Sequence, residues 1–590
     1  MTETNTRDSK SGYNRFLLLV AGLGGLLFGV DVGIIAGALP YLKDTSQLSS
    51  NQLSFIVAAV LLGGVFSTLF AGTLADFFGR KTMMIFSGLL FVFSVPVIAS
   101  SHSYGTLITG RLLQGISGGM IGVVVPLYLA ECLGSWNRGK GTGIFQWLLT
   151  LGILAAAVIG FYFSGRVDEV AKLGDAERLF KFKDIAWRSI FWVSLPPGIL
   201  FVIGGFFVSE SPRWLFRRGK KEAALQVLLR SRSQEQAAIE LQEMEDAAAK
   251  EKSRSAAGAA MKDSLLQRKY ILPFVLACII LACNQATGVN SIIGYNPTIL
   301  IQAGLNDKQA HFGYVLLTLV NFLTTIVGVM LVDRKGRKFL FSLGTTGIIV
   351  SMLAAGFVFH KTESQRVDVR DAVQALVVSS NQTAVVTFDD KSASQWLAQS
   401  GKTIAQPKTL VVIYAYGDFR AATKVVRSDD PDAKLVLNRE SCLPERKVSA
   451  FFENPFANLD TARTAPLKIE HAIITPVPSE QNGWLTAVLI YCFMAFFAVG
   501  PGVCVWLALS ELMPTRIRSK GMSIALLVNI AVSTTIAGVF LPTVGQYGYS
   551  TMFFIFAGCT VVYFLTATFF LPETKGKTLE EIEQHFEGGH

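Results

Sequence analysis

An all-α membrane protein, with twelve transmembrane helices in two six-helix halves and a small extracytoplasmic α/β insertion, is the fold class this sequence predicts. Three observations carry that prediction. The chain of 590 residues is 51% apolar, only 16% charged and contains 43 Phe, a balance that suits several membrane spans and not a water-soluble domain. Its apolar residues gather into twelve runs of about 20, the length that crosses hydrocarbon. Its charge motifs occur twice, once in each half of the chain.

The polar start, 1–15, is a cytoplasmic tail. The first apolar run after it lacks a small-residue cleavage site, so no removed signal peptide is expected and the run stays in the membrane. Six spans follow in 16–208, at 16–39, 53–75, 82–101, 105–130, 141–164 and 189–208. The second half, 270–360 and 484–572, holds spans at 271–300, 312–332, 339–359, 484–510, 521–545 and 549–571, and 573–590 forms the C-terminal tail. Arg80, Lys81, Arg138, Lys140, Arg334, Lys335, Arg337, Lys338, Arg516, Arg518 and Lys520 all fall on one side of this layout. The positive-inside rule makes that side cytoplasmic and places both termini there. The same bias explains the net charge of +10 without a nucleic-acid partner, since no groove-binding motif accompanies the basic residues. Seven scattered Cys with no CxxC give neither a disulfide framework nor a metal site.

The repeat is visible in the loops. Gly72 to Lys81, with Asp76, Gly79 and Arg80, follows span two; Gly328 with Asp333-Arg-Lys-Gly-Arg337-Lys follows span eight. Glu131 precedes Arg138 by seven residues after span four, and Glu511 precedes Arg518 by seven after span ten. Ser209-Glu210-Ser-Pro-Arg213 closes span six and Pro572-Glu573-Thr-Lys-Gly576 closes span twelve. Two copies of one six-span unit leave such a pattern.

The copies also locate the insertion. Asp76 and Glu131 are 55 residues apart, their counterparts Asp333 and Glu511 are 178 apart, and the surplus falls in 361–483 on the outer side. That segment holds 15 Lys plus Arg against 15 Asp plus Glu, β-like runs (TLVVIYAYG, AKLVLN, EHAIITPV) and a helical stretch near SASQWLAQ, which reads as a small folded α/β domain, a partly disordered loop being the alternative. The polar block 209–269 contains GKKEAALQVLLR and EQAAIELQEMEDAAAK, whose apolar spacing predicts amphipathic helices joining the halves on the cytoplasmic side.

Two charged residues lie well inside apolar runs, Asp31 in span one and Arg111 in span four. An ionisable group at membrane depth is costly and points to ion or proton movement. Asp31 is eight residues from the outer end of its span and Arg111 six from the outer start of its own, about 12 and 9 Å along the helix axes, so their depths match. Protonating Asp31 would release Arg111 and link a proton to a change of shape; a permanent structural ion pair is the alternative. The loop charges Asp76, Arg80, Glu131, Arg138, Glu210, Arg213, Asp333, Arg337, Glu511, Arg518 and Glu573 stand at span ends, where ion pairs that form in one conformation and break in another would make a cytoplasmic latch; simple anchoring of the spans at the interface is the alternative. Neutral amides supply another chemistry: Gln146, Asn284, Gln285, Asn290 and Asn529, with Trp506 as an aromatic platform, suit hydroxyl-rich solutes. Each amide taken alone also suits interhelical glue.

Taken together the motifs resemble the sugar porter family of the major facilitator superfamily, whose members include proton-coupled monosaccharide symporters and glucose facilitators. The resemblance rests on the two Gly/Asp/Arg loops, Pro126-Leu-Tyr128-Leu-Ala-Glu131 with Arg138-Gly-Lys140, Ser209-Glu-Ser-Pro-Arg-Trp-Leu215, Asn284-Gln285 with Gly288 and Asn290, Ser510-Glu511, and Pro572-Glu-Thr-Lys-Gly576. It covers nearly the whole chain outside the insertion. It implies the major facilitator fold, a monosaccharide and protons as the transported partners, no cofactor, a monomer in lipid, and a multi-pass location in a bacterial inner (plasma) membrane. It implies that Asp31 is the proton site, because proton-coupled members carry Asp there and glucose-type facilitators Asn. It also implies that the loop charges gate the outward-facing state, and that Phe28 and Tyr295 border the sugar beside the amides. The chain departs from the family at Asn284, where relatives have Gln, at Gly294, where they have Tyr, and at Pro501, two residues early. Hexose, pentose and inositol therefore stay open, as do uniport or exchange and a sugar-sensing role. Nothing points to catalysis: there is no HExxH, and Gly576-Lys-Thr578 fails as a P-loop because Leu571 holds the place of its first Gly.

Overall fold

A computed structural model of the chain describes the backbone of residues 4–46, 48–133, 135–257, 268–378, 380–404, 407–423, 425–430, 433–444, 450, 457–513, 518–573 and 586. Twelve candidate spans appear among these residues. The first half contains α1 (Thr4–Thr45), α2 (Ser50–Phe78), α3 (Arg80–Ala99), α4 (Tyr104–Cys132), α5 (Ser135–Ala171), α6 (Ala176–Trp192) and α7 (Leu195–Phe207). The linker forms α8 (Pro212–Arg217), α9 (Lys221–Ser231) and α10 (Gln234–Ala257). The second half opens with α11 (Arg268–Ala286), α12 (Val289–Gly294), α13 (Asn296–Gln302), α14 (Asp307–Lys335) and α15 (Arg337–Glu363). The insertion adds α16 (Arg370–Gln374), α17 (Asp390–Gln399) and α18 (Leu459–Ala462). The half then closes with α19 (Glu480–Val499), α20 (Pro501–Leu512), α21 (Arg518–Tyr547) and α22 (Tyr549–Leu565), which ends in a π-helical turn.

Three spans differ from the sequence reading. The sixth starts at Ala176 and not at 189, because Asp175 caps α6 by accepting from the Arg178 N–H at 3.0 Å; its first turns, AERLFKFKDIAWR, are too polar to read as membrane. The seventh is broken. Thr287 and Gly288 separate α11 from α12, and Tyr295 separates α12 from α13, with Pro297 in the first turn of the latter. Gly288 has φ +83°, and a Cβ there would stand 2.4 Å from the Phe556 ring, so only glycine fits the break. The tenth is interrupted at Gly500, since Pro501 has no N–H to continue the ladder.

Small residues let the helices of each half approach closely. A Cβ at Gly29 would stand 1.9 Å from the Leu149 carbonyl, seating α1 on α5, and one at Gly115 would stand 2.0 Å from the Val60 carbonyl, seating α4 on α2. Phe66, Phe93, Phe207 and Phe570 are exposed on the outside of the bundle, the apolar belt expected of a lipid-facing surface. The end carrying the duplicated loops is called here the basic end, and the opposite one the insertion end.

The insertion is a sheet domain. Its strands are β1 (Val367–Asp368), β2 (Ala384–Thr387), β3 (Lys408–Tyr416), β4 (Phe419–Ala422), β5 (Val426–Arg427), β6 (Lys434–Leu437) and β7 (Leu467–Pro476). They pair antiparallel in the order β1-β7-β3-β4, with β5 on β3 and β2 on β6. Val411 sits opposite Ile473, and a bulge follows Ile413. Leu410, Val412, Tyr414 and Ile474 form its core with Trp396 of α17. The domain touches both halves: Asn51 of α2 donates to the Arg420 carbonyl at 3.3 Å, and Gly545 of α21 lies against Ala422.

Candidate functional site

Three groups of side chains stand along the molecule. At the basic end, Glu210 lies just past α7 and caps the N-terminus of α3, accepting from the backbone N–H of Arg80 at 2.9 Å and of Lys81 at 3.1 Å. A carboxylate suits that position because the helix presents free N–H groups and the positive end of its dipole. Gly79 makes the approach possible, with φ +99° and a would-be Cβ 2.2 Å from Glu210 Oε2. Burial pushes the Glu210 carboxyl above the usual 4.5, against the pull of its backbone hydrogen bonds.

Arg80 is buried and gathers the rest of this group. Its guanidinium lies 2.6 Å from Asp76 and 2.9 Å from Glu131 and donates to the Ala75 carbonyl at 3.0 Å. Glu131 also accepts from Ser211 Oγ. Trp214 Nε1 donates to the Asp76 carbonyl at 2.8 Å, and Arg218 to that of Phe77 at 2.5 Å. The second half repeats the plan. Glu573 accepts from the N–H groups of Arg337 and Lys338, each at 3.1 Å, Gly336 has φ +89° beneath it, and Arg337 donates to the Val332 carbonyl at 3.3 Å. Arg213 is exposed on α8. The side chains of Arg138, Asp333, Glu511 and Arg518 lie outside the described residues. Sequence reading missed Ser211, Trp214 and Arg218, although all three fall within or beside the Ser209–Leu215 motif.

At membrane depth the first half buries Asp31 and Arg111, each 1% exposed, with 4.0 Å between the nearest oxygen and nitrogen. This is a loose pair. Arg111 donates instead to Gln114 Oε1 at 2.6 Å, one turn along α4, and its guanidinium sits 5.6 Å from the Phe191 ring centre. Asp31 Oδ1 has no hydrogen-bond partner among the described residues. A Cβ at Gly118 would stand 2.7 Å from Asp31 Oδ2 and 3.4 Å from the Phe28 ring, so Gly118 opens the space that carboxylate and ring share against α4. Gln114 and Gly118 were not singled out from the sequence, though Gln114 is three residues from Arg111. Sequence reading found no GxSxG, yet the run Gly115-Ile-Ser117-Gly-Gly119 has that spacing; it is no nucleophile elbow, because Ser117 is buried in mid-helix with its hydroxyl donating to the Ser87 carbonyl at 2.7 Å.

The second half holds neutral amides at the helix break. Asn290, in the first turn of α12, donates to Gln285 Oε1 at 2.9 Å and lies 2.8 Å from Ser533 Oγ. Gln285 Nε2 donates to Asn529 Oδ1 at 3.2 Å, and Asn529 Nδ2 to the Leu281 carbonyl at 2.9 Å. Gln285 and Asn290 are half-buried, whereas Asn529 is buried. Ser533 was missed; it lies one turn after Asn529 and shares its face. Asn284 is buried and faces the Tyr563 hydroxyl at 3.5 Å. Tyr295 is buried, donates to the Ala537 carbonyl at 3.0 Å and stacks on Phe540 at 4.6 Å. Gln146 is half-buried on α5; the side chain of Trp506 lies outside the described residues.

The halves are fastened together at the insertion end. Tyr41 of α1 donates to Asp307 of α14 at 2.8 Å, and Tyr314 donates to the Gly33 carbonyl at 3.1 Å. Nearer the middle, Trp147 of α5 stacks on Phe322 of α14 at 5.5 Å.

With this geometry established, comparison with known proteins decides the family. The profile of the family described as "Sugar (and other) transporter" matches residues 17–380 and 468–586, leaving out the two ends of the chain and a stretch inside the sheet domain. The chain belongs to that family. It is a membrane transporter and not an enzyme, built on the major facilitator fold. It is 27% identical to the human proton myo-inositol cotransporter (Homo sapiens), over 98% of this chain and 83% of that protein. It is 26% identical to the glucose transporter GlcP of Staphylococcus epidermidis, over 97% of each. Among solved structures it is similar to the partially occluded inward open conformation of the xylose transporter XylE from E. coli, with a TM-score of 0.62 and 21% identity over 96% of this chain and all of that one.

Proposed function

We propose that this transporter is a proton-coupled symporter of a monosaccharide or cyclic polyol, working by alternating access in a multi-pass location with the basic end cytoplasmic. The loose Asp31–Arg111 pair carries the reading. A buried carboxylate left without a partner is costly when charged and tolerable when protonated. The arrangement with Arg111 turned to Gln114 is therefore the one suited to a protonated Asp31, and loss of the proton favours closing the 4.0 Å gap. Asp31 lies two residues from Gly33 on the same helix, so movement of α1 that closes the gap bears directly on the bond from Tyr314 across the halves. Coupling needs such a shared rigid element.

The amide cluster supports a hydroxylated, uncharged solute. Gln285 and Asn290 offer donors and acceptors in pairs, and the bonds they now make to each other and to Asn529 and Ser533 can be exchanged for bonds to sugar hydroxyls at little net cost. Phe28 sits beside Asp31 against α4, where a ring can pack on the apolar face of a sugar. The human relative named for proton and myo-inositol and the staphylococcal one named for glucose support the same solute class.

The test is uptake into proteoliposomes of labelled glucose, xylose and myo-inositol, with and without an inward proton gradient. The expected outcome is accumulation of at least one solute above its outside concentration, collapsing when a protonophore is added. Equilibration without accumulation would identify a uniporter and remove the coupling role from Asp31.

A further inference from the structure

We propose that His311 is a second proton-binding site, and that its imidazolium fastens the two halves together at the insertion end. His311 is fully buried on α14. Both ring nitrogens face acceptors. Nδ1 lies 2.9 Å from the Asp307 carbonyl and 3.4 Å from the Asp307 carboxylate, and Nε2 lies 3.3 Å from the carbonyl of Gly37 on α1, in the other half. A neutral imidazole has one N–H and must turn the lone pair of its other nitrogen toward an oxygen, whereas the imidazolium donates to both sides. In a site this buried that mismatch is costly.

The charges around the ring lead to the same conclusion. On α1, Tyr41 stacks on His311 at 5.5 Å with the rings parallel and donates a hydrogen bond from its hydroxyl to Asp307, while Asp44 is held by Lys183 of α6 at 2.6 Å. Asp430 of the sheet domain also faces Lys183. Lys308 is exposed, Glu480 of α19 is engaged by Gln309 at 2.5 Å, and Lys43 lines the crevice beneath the sheet. Lys183, which faces Asp307 from α6, is thus already matched by Asp44, and a proton on His311 balances the Asp307 carboxylate. Opening the insertion end separates Nε2 from Gly37 and exposes the ring to water. Closing the end therefore takes up a proton, and acid favours the closed form.

This inference rests on the alternating-access part of the proposed function but not on the identity of the solute or on Asp31. The test is a distance measurement by electron paramagnetic resonance, without sugar, between spin labels at Leu173→Cys and Lys308→Cys in a background with the seven native cysteines replaced. In Asp31→Asn, where the acid buried at membrane depth in the first half cannot titrate, the open-to-closed ratio should rise by about tenfold or more between pH 5 and pH 8, as a shift of one pKa unit or more between states requires. His311→Gln added to that background should abolish the pH dependence. Asp307→Asn, which keeps the shape and removes the charge, should move the midpoint to lower pH. Tyr314→Phe, which deletes a bond across the halves with no titratable group, should change the ratio and leave the midpoint in place. A pH response unchanged in His311→Gln, or one that vanishes in Asp31→Asn alone, would overturn the assignment, and neither result depends on whether any solute is transported.

Discussion

At the basic end Glu210 and Glu573 hold equivalent posts, each accepting from the first two backbone N–H groups of the helix that follows a positive-φ glycine. At membrane depth the halves differ: the first buries a carboxylate and a guanidinium, the second a chain of amides and a hydroxyl. Helix capping is a backbone problem with one good solution, so duplication leaves it intact. The membrane centre has no such constraint, and each half is free to specialise. Symmetry thus marks the scaffold, and under the proposed function the asymmetry marks the transported species, with a proton-responsive side facing a solute-binding side.

Substitution at each pole breaks the comparison most sharply. Asp31→Asn should abolish uphill accumulation while leaving counterflow exchange of sugar, because the amide imitates a permanently protonated carboxyl; full accumulation by the variant in vesicles would remove Asp31 from the proton path. Gln285→Ala should weaken sugar binding by about 1–3 kcal/mol, the cost of leaving buried partners without their bonds, while proton-driven movement of any residually bound sugar survives. Calorimetry showing unchanged affinity would place the solute elsewhere.

The capping glutamates sharpen the other side of the comparison. Glu210→Ala and Glu573→Ala should each lower stability by about 1–2 kcal/mol, similar in size because the geometry is duplicated. Glu210 adds a pH signature. Its carboxyl titrates above the usual 4.5, so the folded state holds this proton more tightly than the unfolded one, and stability falls as pH rises from about 4.5 through the raised value. Glu210→Gln should flatten that decline in thermal melts, and an unchanged slope would assign it to other groups.

The smallest effect is expected from the sheet domain. It has its own core and belongs to neither copy of the repeat, so replacing 367–476 by a short Gly/Ser linker should leave sugar affinity within about twofold, flexible closure being cheap. A correctly inserted variant that no longer binds sugar would make the domain part of the site.

Local physics made much of this protein legible. Twelve apolar runs needed no tertiary information, since a span must satisfy its own backbone in lipid. The paired loops around Asp76 and Asp333 announced the duplication, and Gln285, Asn290 and Asn529 stood out as amides in apolar segments. The breaks in the seventh and tenth spans were half-legible: Gly288, Pro297, Gly500 and Pro501 are in plain view, yet hydropathy averages over them. Asp175 escaped because a cap ahead of a polar turn leaves no trace in an apolar window.

What must be buried and what must face water is written along the chain, because those demands act on each residue and its near neighbours. The partners follow from how the helices pack: Arg111 turning to Gln114 and not closing on Asp31, Ser533 completing the amide chain, Tyr295 facing Ala537, and His311 lying between Asp307 and the Gly37 carbonyl 274 residues away. The physical reason is that burial is a property of one side chain, whereas a hydrogen bond at membrane depth is chosen among several candidates by ångström-scale placement of helices whose packing is set elsewhere in the chain.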